Sequence, residues 1–178
     1  KNAKCCEKFR DDLGKRFTIT STLGNELDYL GLHIHVKEHG IELSQKAMVA
    51  KLIGNVKGTA NSPAATLENE EGLTESELNE LDVILEEDLG AEYRSVTAVA
   101  LYLSKRTRPD LLMAVNRLCR KANKPTVRDW KALQRMLRYV SRTRNHVLMM
   151  PATSLDIEAY IDASFATNAD RKSTTGAV

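Results

Sequence analysis

The spacing of apolar residues divides the chain into a short β region followed by several amphipathic helices. Residues 29–36 alternate apolar and polar positions, a Gly-containing turn ends at Gly40, and residues 41–44 resume the alternation. This pattern predicts a β-hairpin, with the apolar residues of its first strand on one face. The residues assigned to that face are Leu30, Leu32, Ile34 and Val36. From residue 44 to 55 the apolar period lengthens, which predicts a helix.

Three further helices are predicted in the second half of the chain. The first covers roughly residues 93–105, with Val96, Val99, Ala100 and Leu103 apolar. The second is expected to start at Thr107 and the third at Thr126, each with the threonine as N-cap and an aspartate three residues later. A strand is predicted over residues 157–161. The fold class is therefore α+β.

The linking region between the hairpin and these helices is acidic. Residues 57–72 contain Gly58, Pro63 and Gly72 and are expected to form a loop. Residues 66–92 carry eleven acidic side chains and no Lys or Arg. Because residues 74–77 match a capping box, a short exposed helix from about residue 75 is also predicted.

The helical region that follows is strongly basic. Residues 94–146 contain fourteen Lys or Arg and two acidic residues, although the whole chain has a net charge of only +2. The third helix has an apolar face and, nearly opposite, cations at intervals of three and four residues. These cations are Arg128, Lys131, Arg135, Arg138 and Arg142. On the second helix Leu111, Leu112, Val115, Leu118 and Cys119 are assigned to the apolar face, and the cations are Arg117, Arg120, Lys121 and Lys124.

Two interpretations of this basic stripe stay open at this point. Like charges spaced four residues apart destabilise an isolated helix, so five of them along one helix face indicate a partner that neutralises them. A nucleic-acid backbone would do so, with affinity that depends on salt and little on sequence. Alternatively, the acidic side chains of residues 68–92 dock against the stripe inside the molecule.

The remaining composition places few further limits on function. The three cysteines, two of them adjacent, do not suggest a disulfide framework, and we expect an intracellular location, cytoplasmic or nuclear. No apolar run is long enough for a transmembrane helix, so no membrane partner is expected. No glycine-rich phosphate loop or nucleophile–base set supports an independent enzyme.

Six motifs in order resemble a known family. They are Asp28–Ile34 (DYLGLHI), Gly40–Gln45 (GIELSQ), the Tyr93–Leu103 segment, Thr107–Asp110 (TRPD), Trp130–Val140 and Asp162–Gly176. Together they resemble the C-terminal part of the reverse transcriptase of copia-type (Pseudoviridae) retrotransposons, running into its ribonuclease H domain. The resemblance covers nearly the whole chain.

The resemblance implies a division of the chain into four parts. Residues 1–56 would end the palm, with a primer-grip-like hairpin and a first thumb helix, and residues 57–92 would form an acidic linker with a short helix. Residues 93–150 would form the basic thumb and connection, and residues 151–178 the truncated start of a ribonuclease H-like domain. The implied partners are an RNA–DNA hybrid or DNA duplex and the rest of the polyprotein.

The resemblance also implies roles for individual residues. Tyr29, Leu30 and Gly31 would hold the 3′ end of the primer, and the basic stripe would clamp the duplex. Asp162 would be the first metal-binding carboxylate of ribonuclease H, which uses Mg²⁺ in the intact parent. The polymerase aspartates and the other nuclease carboxylates are expected outside this chain, so the fragment alone is expected to need no cofactor and to be inactive.

Overall fold

Helices and antiparallel strands are both present in the computed structural model, which describes residues 3–54, 81–151, 161–164 and 174–177. The α+β class is thereby confirmed. The helices are α1 (Ala3–Gly14), α2 (Lys46–Gly54), α3 (Glu87–Ser104), α4 (Leu112–Arg120) and α5 (Val127–Arg142), with a 3₁₀ turn at Pro109–Leu111. The strands are β1 (Glu26–Tyr29), β2 (Leu32–Lys37), β3 (Gly40–Ser44), β4 (Leu148–Pro151), β5 (Ile161–Ser164) and β6 (Thr174–Ala177).

The predicted hairpin is the centre of a four-stranded antiparallel sheet with strand order β1-β2-β3-β4. Val36 pairs with Ile41 in the hairpin, and Ile41 pairs in turn with Met150 of β4. Gly40 has φ of 154°, and a Cβ atom there would lie 2.4 Å from the carbonyl oxygen of Met150. Only glycine fits at this position, because any side chain would collide with the neighbouring strand.

The prediction of one continuous strand over residues 29–36 is wrong. The chain turns at Leu30 and Gly31, whose φ angles are 49° and 76°, and Tyr29 pairs with Leu32 across this turn. Positive φ at both central residues is typical of two-residue hairpin turns. Leu30 therefore lies in the turn and not on the apolar face of the strand.

The core lies among the helices, as the apolar spacing predicts. Helix α3 packs against α4, and α2 packs against both α5 and α3. Most of the predicted apolar positions are buried, but Leu112 is 40% exposed, which corrects its assignment to the core face of α4. The buried side chains of this apolar core are Val49, Leu52, Tyr93, Val96, Ala100, Leu103, Leu111, Val115, Leu118, Leu133, Met136, Leu137 and Val140.

The two predicted helix caps have different outcomes. At the start of α5 the capping box is confirmed: the Thr126 hydroxyl accepts from the backbone of Asp129, whose carboxylate accepts from the Thr126 backbone. At Thr107 the prediction is wrong, because this buried hydroxyl donates to Gln45 Oε1 at 3.0 Å instead. A long-range tertiary contact has replaced the local cap.

Several predictions concern residues outside the described ranges or at their edges. Helix α3 begins at Glu87, six residues before the predicted start, whereas the capping box at residues 74–77 lies outside the described residues. Residues 157–160 also lie outside them, and the described strand there is β5, which pairs with β6 so that Asp162 is opposite Gly176. Among the described helices, none combines the length and apolar character needed to cross a bilayer.

Candidate nucleic-acid interface

The cations predicted to contact nucleic acid lie on or just after two successive helices. On α4 and the turn that follows it, Arg117, Arg120, Lys121 and Lys124 are all exposed. On α5 the predicted stripe is divided: Lys131 and Arg142 are exposed, whereas Arg128, Arg135 and Arg138 are half-buried. The sequence therefore placed all nine cations outside the core, but it did not distinguish the two degrees of exposure.

The orientation of α5 follows from its apolar face. Leu133, Met136, Leu137 and Val140 are each no more than 1% exposed, so this face of the helix is fixed against the core. At about 100° of rotation per residue, Lys131, Arg138 and Arg142 point away from it. The Nε atoms of Arg135 and Arg138 are buried, so neighbouring surface covers part of these two guanidinium groups.

One cation of the stripe binds an acidic residue of the preceding segment. Arg128 lies 3.1 Å from the Asp82 carboxylate. Backbone contacts hold the two segments together here, because the amide of Val127 donates to the Val83 carbonyl and that of Leu85 to the Pro125 carbonyl, both at 2.9 Å. The structure thus shows the internal docking of an acid on the stripe at this position.

The residues with an implied primer-grip role occupy the turn between β1 and β2. Tyr29 and Leu30 are 63% and 64% exposed. The turn is tied to the helices, since the Tyr102 hydroxyl donates to the carbonyl oxygen of Leu30 at 2.6 Å, and a Cβ on Gly31 would lie 3.4 Å from Met48. Two exposed side chains are therefore presented from a turn whose backbone is held in place.

A buried arginine network was not predicted from the sequence. Arg108 is 2% exposed and donates from Nε and Nη2 to the two oxygens of Asp110, at 2.9 and 2.7 Å. The same guanidinium donates to the carbonyl and the hydroxyl of Thr143, and Tyr139 donates to Asp110 at 3.2 Å. The TRPD motif was the available signal, but its aspartate was interpreted as the capping-box partner of Thr107.

This network determines the protonation state of Asp110. Burial would raise the pKa of this carboxyl group, but the hydrogen bonds and positive charge of Arg108 outweigh burial and lower its pKa below the usual value. For Tyr139, burial and the nearby Asp110 carboxylate raise the pKa of the phenol. Asp110 is therefore ionised at neutral pH and pairs with a buried, always-charged guanidinium.

The residue with an implied metal-binding role stands apart from these helices in sequence. Asp162 lies on β5, and the structure describes its backbone register without its side chain. Within the described ranges, no cluster of three His, Cys, Asp or Glu side chains could hold a metal ion. The role of Asp162 in binding Mg²⁺ stays a prediction about the intact parent.

Comparison with known proteins gives relatives over almost the entire chain. It is 32% identical over 163 residues to the retrovirus-related Pol polyprotein from transposon RE2 of Arabidopsis thaliana, covering 90% of this chain and 11% of the relative. It is 30% identical over 171 residues to the retrovirus-related Pol polyprotein from transposon RE1 of the same plant, and this match covers 90% of this chain and 10% of the relative. An uncharacterized mitochondrial protein of the same plant is 30% identical over 167 residues, and this match covers 90% of this chain and 67% of the relative.

The extent of these matches defines what they show. No family model matches the chain, and no solved structure matches it significantly. The chain spans about a tenth of the length of the two Pol polyproteins, so the resemblance concerns one region of a much longer protein. The expected family is nevertheless confirmed: the chain belongs to the retrovirus-related Pol polyproteins of copia-type transposons.

Proposed function

We propose that this chain is the part of a retrotransposon reverse transcriptase that grips the primer and clamps the template–primer duplex. The clamp is the set of cations on and after α4 and on α5, here called the basic surface, with Lys131 and Arg142 exposed on α5. The chain then continues into the start of a ribonuclease H-like domain. The substrate is an RNA–DNA hybrid or a DNA duplex, held through its backbone.

The observation that carries this proposal is the separation of apolar and cationic faces on two neighbouring helices. Both helices use their apolar faces in one core, and their cations lie outside that core. A duplex carries closely spaced phosphate charges, and lysine or arginine side chains that contact them release bound counterions. Contacts of this type position a duplex without reading its sequence, as a polymerase that copies many sequences requires.

The turn at Tyr29–Gly31 supports the primer-grip part of the proposal. Leu30 is the one non-glycine residue with positive φ among those described, and its side chain is exposed. A leucine in the left-handed region costs free energy, and residues held in such conformations cluster at functional sites. Gly31 has no side chain, which allows a nucleic-acid backbone to approach closely.

Catalysis belongs to the intact parent in this proposal. Asp162 would supply one oxygen ligand for Mg²⁺, which needs several such ligands that other parts of the parent would provide. A pair of such ions activates water and stabilises the leaving oxygen in phosphodiester cleavage. For the present chain we propose binding without catalysis.

A second function is favoured by the Asp82–Arg128 ion pair. If further acidic residues bind the basic surface, the chain would be a helical interaction module whose partner is a protein, derived from a retroelement. The relatives include a mitochondrial protein far shorter than the Pol polyproteins, since this chain covers 67% of it. This candidate predicts no binding to duplexes even at low salt.

The test compares binding of a fluorescently labelled RNA–DNA hybrid to charge-matched variants. Lys131→Ala combined with Arg142→Ala removes two exposed cations from α5, and Lys8→Ala combined with Arg16→Ala removes two from the region of α1. We expect the α5 variant to raise Kd about five- to tenfold at low salt and the control to change it less than twofold. Equal effects of the two variants would contradict a localised clamp.

A further inference from the structure

The acidic segment before α3 ends beside the first turn of the basic helix α5. Ile84 forms a β-bridge with Thr126, and the two backbone hydrogen bonds from Val127 and Leu85 flank that bridge. Leu81, at the start of the described part of this segment, is only 7% exposed. Residues 81–85 are therefore attached to the N-terminal end of α5 by backbone contacts and by apolar burial.

This attachment directs a carboxylate to the first cation of the stripe. Asp82 contacts Arg128 at 3.1 Å, and their side chains are 64% and 30% exposed. An ion pair this exposed contributes little to stability. A phosphate group could therefore displace the carboxylate from Arg128 at small cost.

The same carboxylate has an effect on any bound polyanion. A carboxylate next to Arg128 neutralises that cation and repels phosphate, so a duplex on the basic surface must exclude Asp82 before it can contact Arg128. The charge of the surrounding sequence acts in the same direction, because residues 81–92 carry five acidic side chains and no Lys or Arg. Helix α5 itself carries its other cations further along, from Lys131 to Arg142.

We propose that Asp82 is an intramolecular competitor of nucleic acid for Arg128 and thereby limits binding at the N-terminal end of α5. This inference rests on the proposed function, because it assigns regulation to the same basic surface. In the absence of nucleic acid the carboxylate occupies the guanidinium of Arg128. Duplex binding replaces the carboxylate by a phosphate and leaves Asp82 to solvent.

The experiment measures the binding of a labelled RNA–DNA hybrid by anisotropy across a salt series. The variants are Asp82→Asn, Arg128→Ala and their combination, with Glu87→Gln as the control. Glu87 lies in the first turn of α3 and has no ion pair among the described residues, so this control removes the same charge without touching Arg128. Thermal unfolding of each variant checks that the attachment to α5 persists.

We expect Asp82→Asn to tighten binding about two- to fivefold at low salt. This gain in affinity should become smaller as the salt concentration rises, because salt screens the ion pair that competes with the phosphate. Arg128→Ala should reduce the effect of Asp82→Asn. If Asp82 only repelled the duplex, Asp82→Asn would increase the affinity of the Arg128→Ala variant as much as that of the wild type, or more. That result would overturn the proposal. A gain in affinity from Asp82→Asn that is the same at low and at high salt would also overturn the proposal.

The outcomes also separate this inference from the function on which it rests. A wild-type chain that binds the hybrid with strong salt dependence, together with an Asp82→Asn variant of unchanged affinity, overturns the competition alone. A wild-type chain and variants that all fail to bind at low salt overturn both proposals.

Discussion

Arg108 and Asp110 form a two-point ion pair across a single proline, with Nε and Nη2 of the arginine donating to the two carboxylate oxygens. The arginine side chain is 3% exposed, whereas that of the aspartate is 36% exposed. Because the same guanidinium also donates to Thr143 after the end of α5, this pair connects the start of α4 to the end of α5. The geometry of the basic surface depends on the relative position of these two helices.

Replacing Asp110 should therefore destabilise the fold. Asp110→Asn leaves a buried guanidinium with a neutral partner, and hydrogen bonds to charged groups contribute roughly 1.5–3 kcal/mol. We expect the free energy of unfolding, measured with urea, to fall by about 2 kcal/mol. Asp88→Asn removes an acidic group from the first turn of α3 and should cost less than about 1 kcal/mol. Identical urea midpoints for Asp110→Asn and the wild type would contradict the role of this pair.

The same pair predicts a dependence of stability on pH. The pKa of Asp110 is lowered in the folded state, so its contribution is complete above the unfolded value of about 4 and is lost as the pH falls through the folded pKa. We expect the difference in unfolding free energy between wild type and Asp110→Asn to be constant from about pH 7 to 5. This difference in unfolding free energy should become smaller below about pH 4. A difference that grows on acidification has the wrong sign for this account.

Tyr93 provides a test of the helical core away from the basic surface. This residue is 0% exposed, and its hydroxyl donates to the carbonyl oxygen of Leu118 at 2.9 Å, linking α3 to α4. Tyr93→Phe leaves that carbonyl without this donor and should lower the free energy of unfolding by about 1–2 kcal/mol. Tyr29→Phe, at a position 63% exposed, should change it by less than about 0.5 kcal/mol. Equal effects would mean that the Tyr93 hydrogen bond contributes nothing specific.

Leu30 provides a test of strain that is retained for function. Asparagine tolerates the left-handed region and is favoured before glycine in tight hairpin turns, so Leu30→Asn should stabilise the fold by about 0.5–1 kcal/mol. If the exposed leucine contacts the primer, the same variant should weaken hybrid binding. Leu23→Asn replaces an exposed leucine outside any strand or helix, and it should change neither the stability of the fold nor the affinity for the hybrid. If Leu30→Asn binds the hybrid as tightly as the wild type or more tightly, the proposed contact of Leu30 with the primer is contradicted.

Local patterns predicted the helices of this fold well. The apolar faces of α3 and α5 were predicted because burial follows the helical period, and the cap at Thr126 was predicted because its contacts are local. The turn at Leu30 was not predicted, because leucine rarely adopts positive φ and the alternation of apolar and polar residues continues through the turn. The prediction of a cap at Thr107 was wrong because its hydroxyl donates a hydrogen bond to Gln45, sixty-two residues away in sequence.

The candidate site was predicted in its charge but not in its contacts. The 3–4 spacing of cations placed them opposite the apolar face of α5, which the structure reproduces. The sequence offered internal docking of acids as an alternative, yet it did not identify Asp82 as the residue that reaches Arg128. Such contacts depend on how residues 81–85 pair with the start of α5, and no local pattern encodes that pairing.

The central claim is that the basic surface clamps a duplex through its phosphates, and the salt dependence of binding tests it most directly. Anisotropy of a labelled RNA–DNA hybrid should be measured with the wild-type chain from low to high salt. If about four to eight cations contact phosphates, log K should fall against log salt with a slope of about −4 to −7. Affinity that is independent of salt, or no binding at low salt, would contradict the claim.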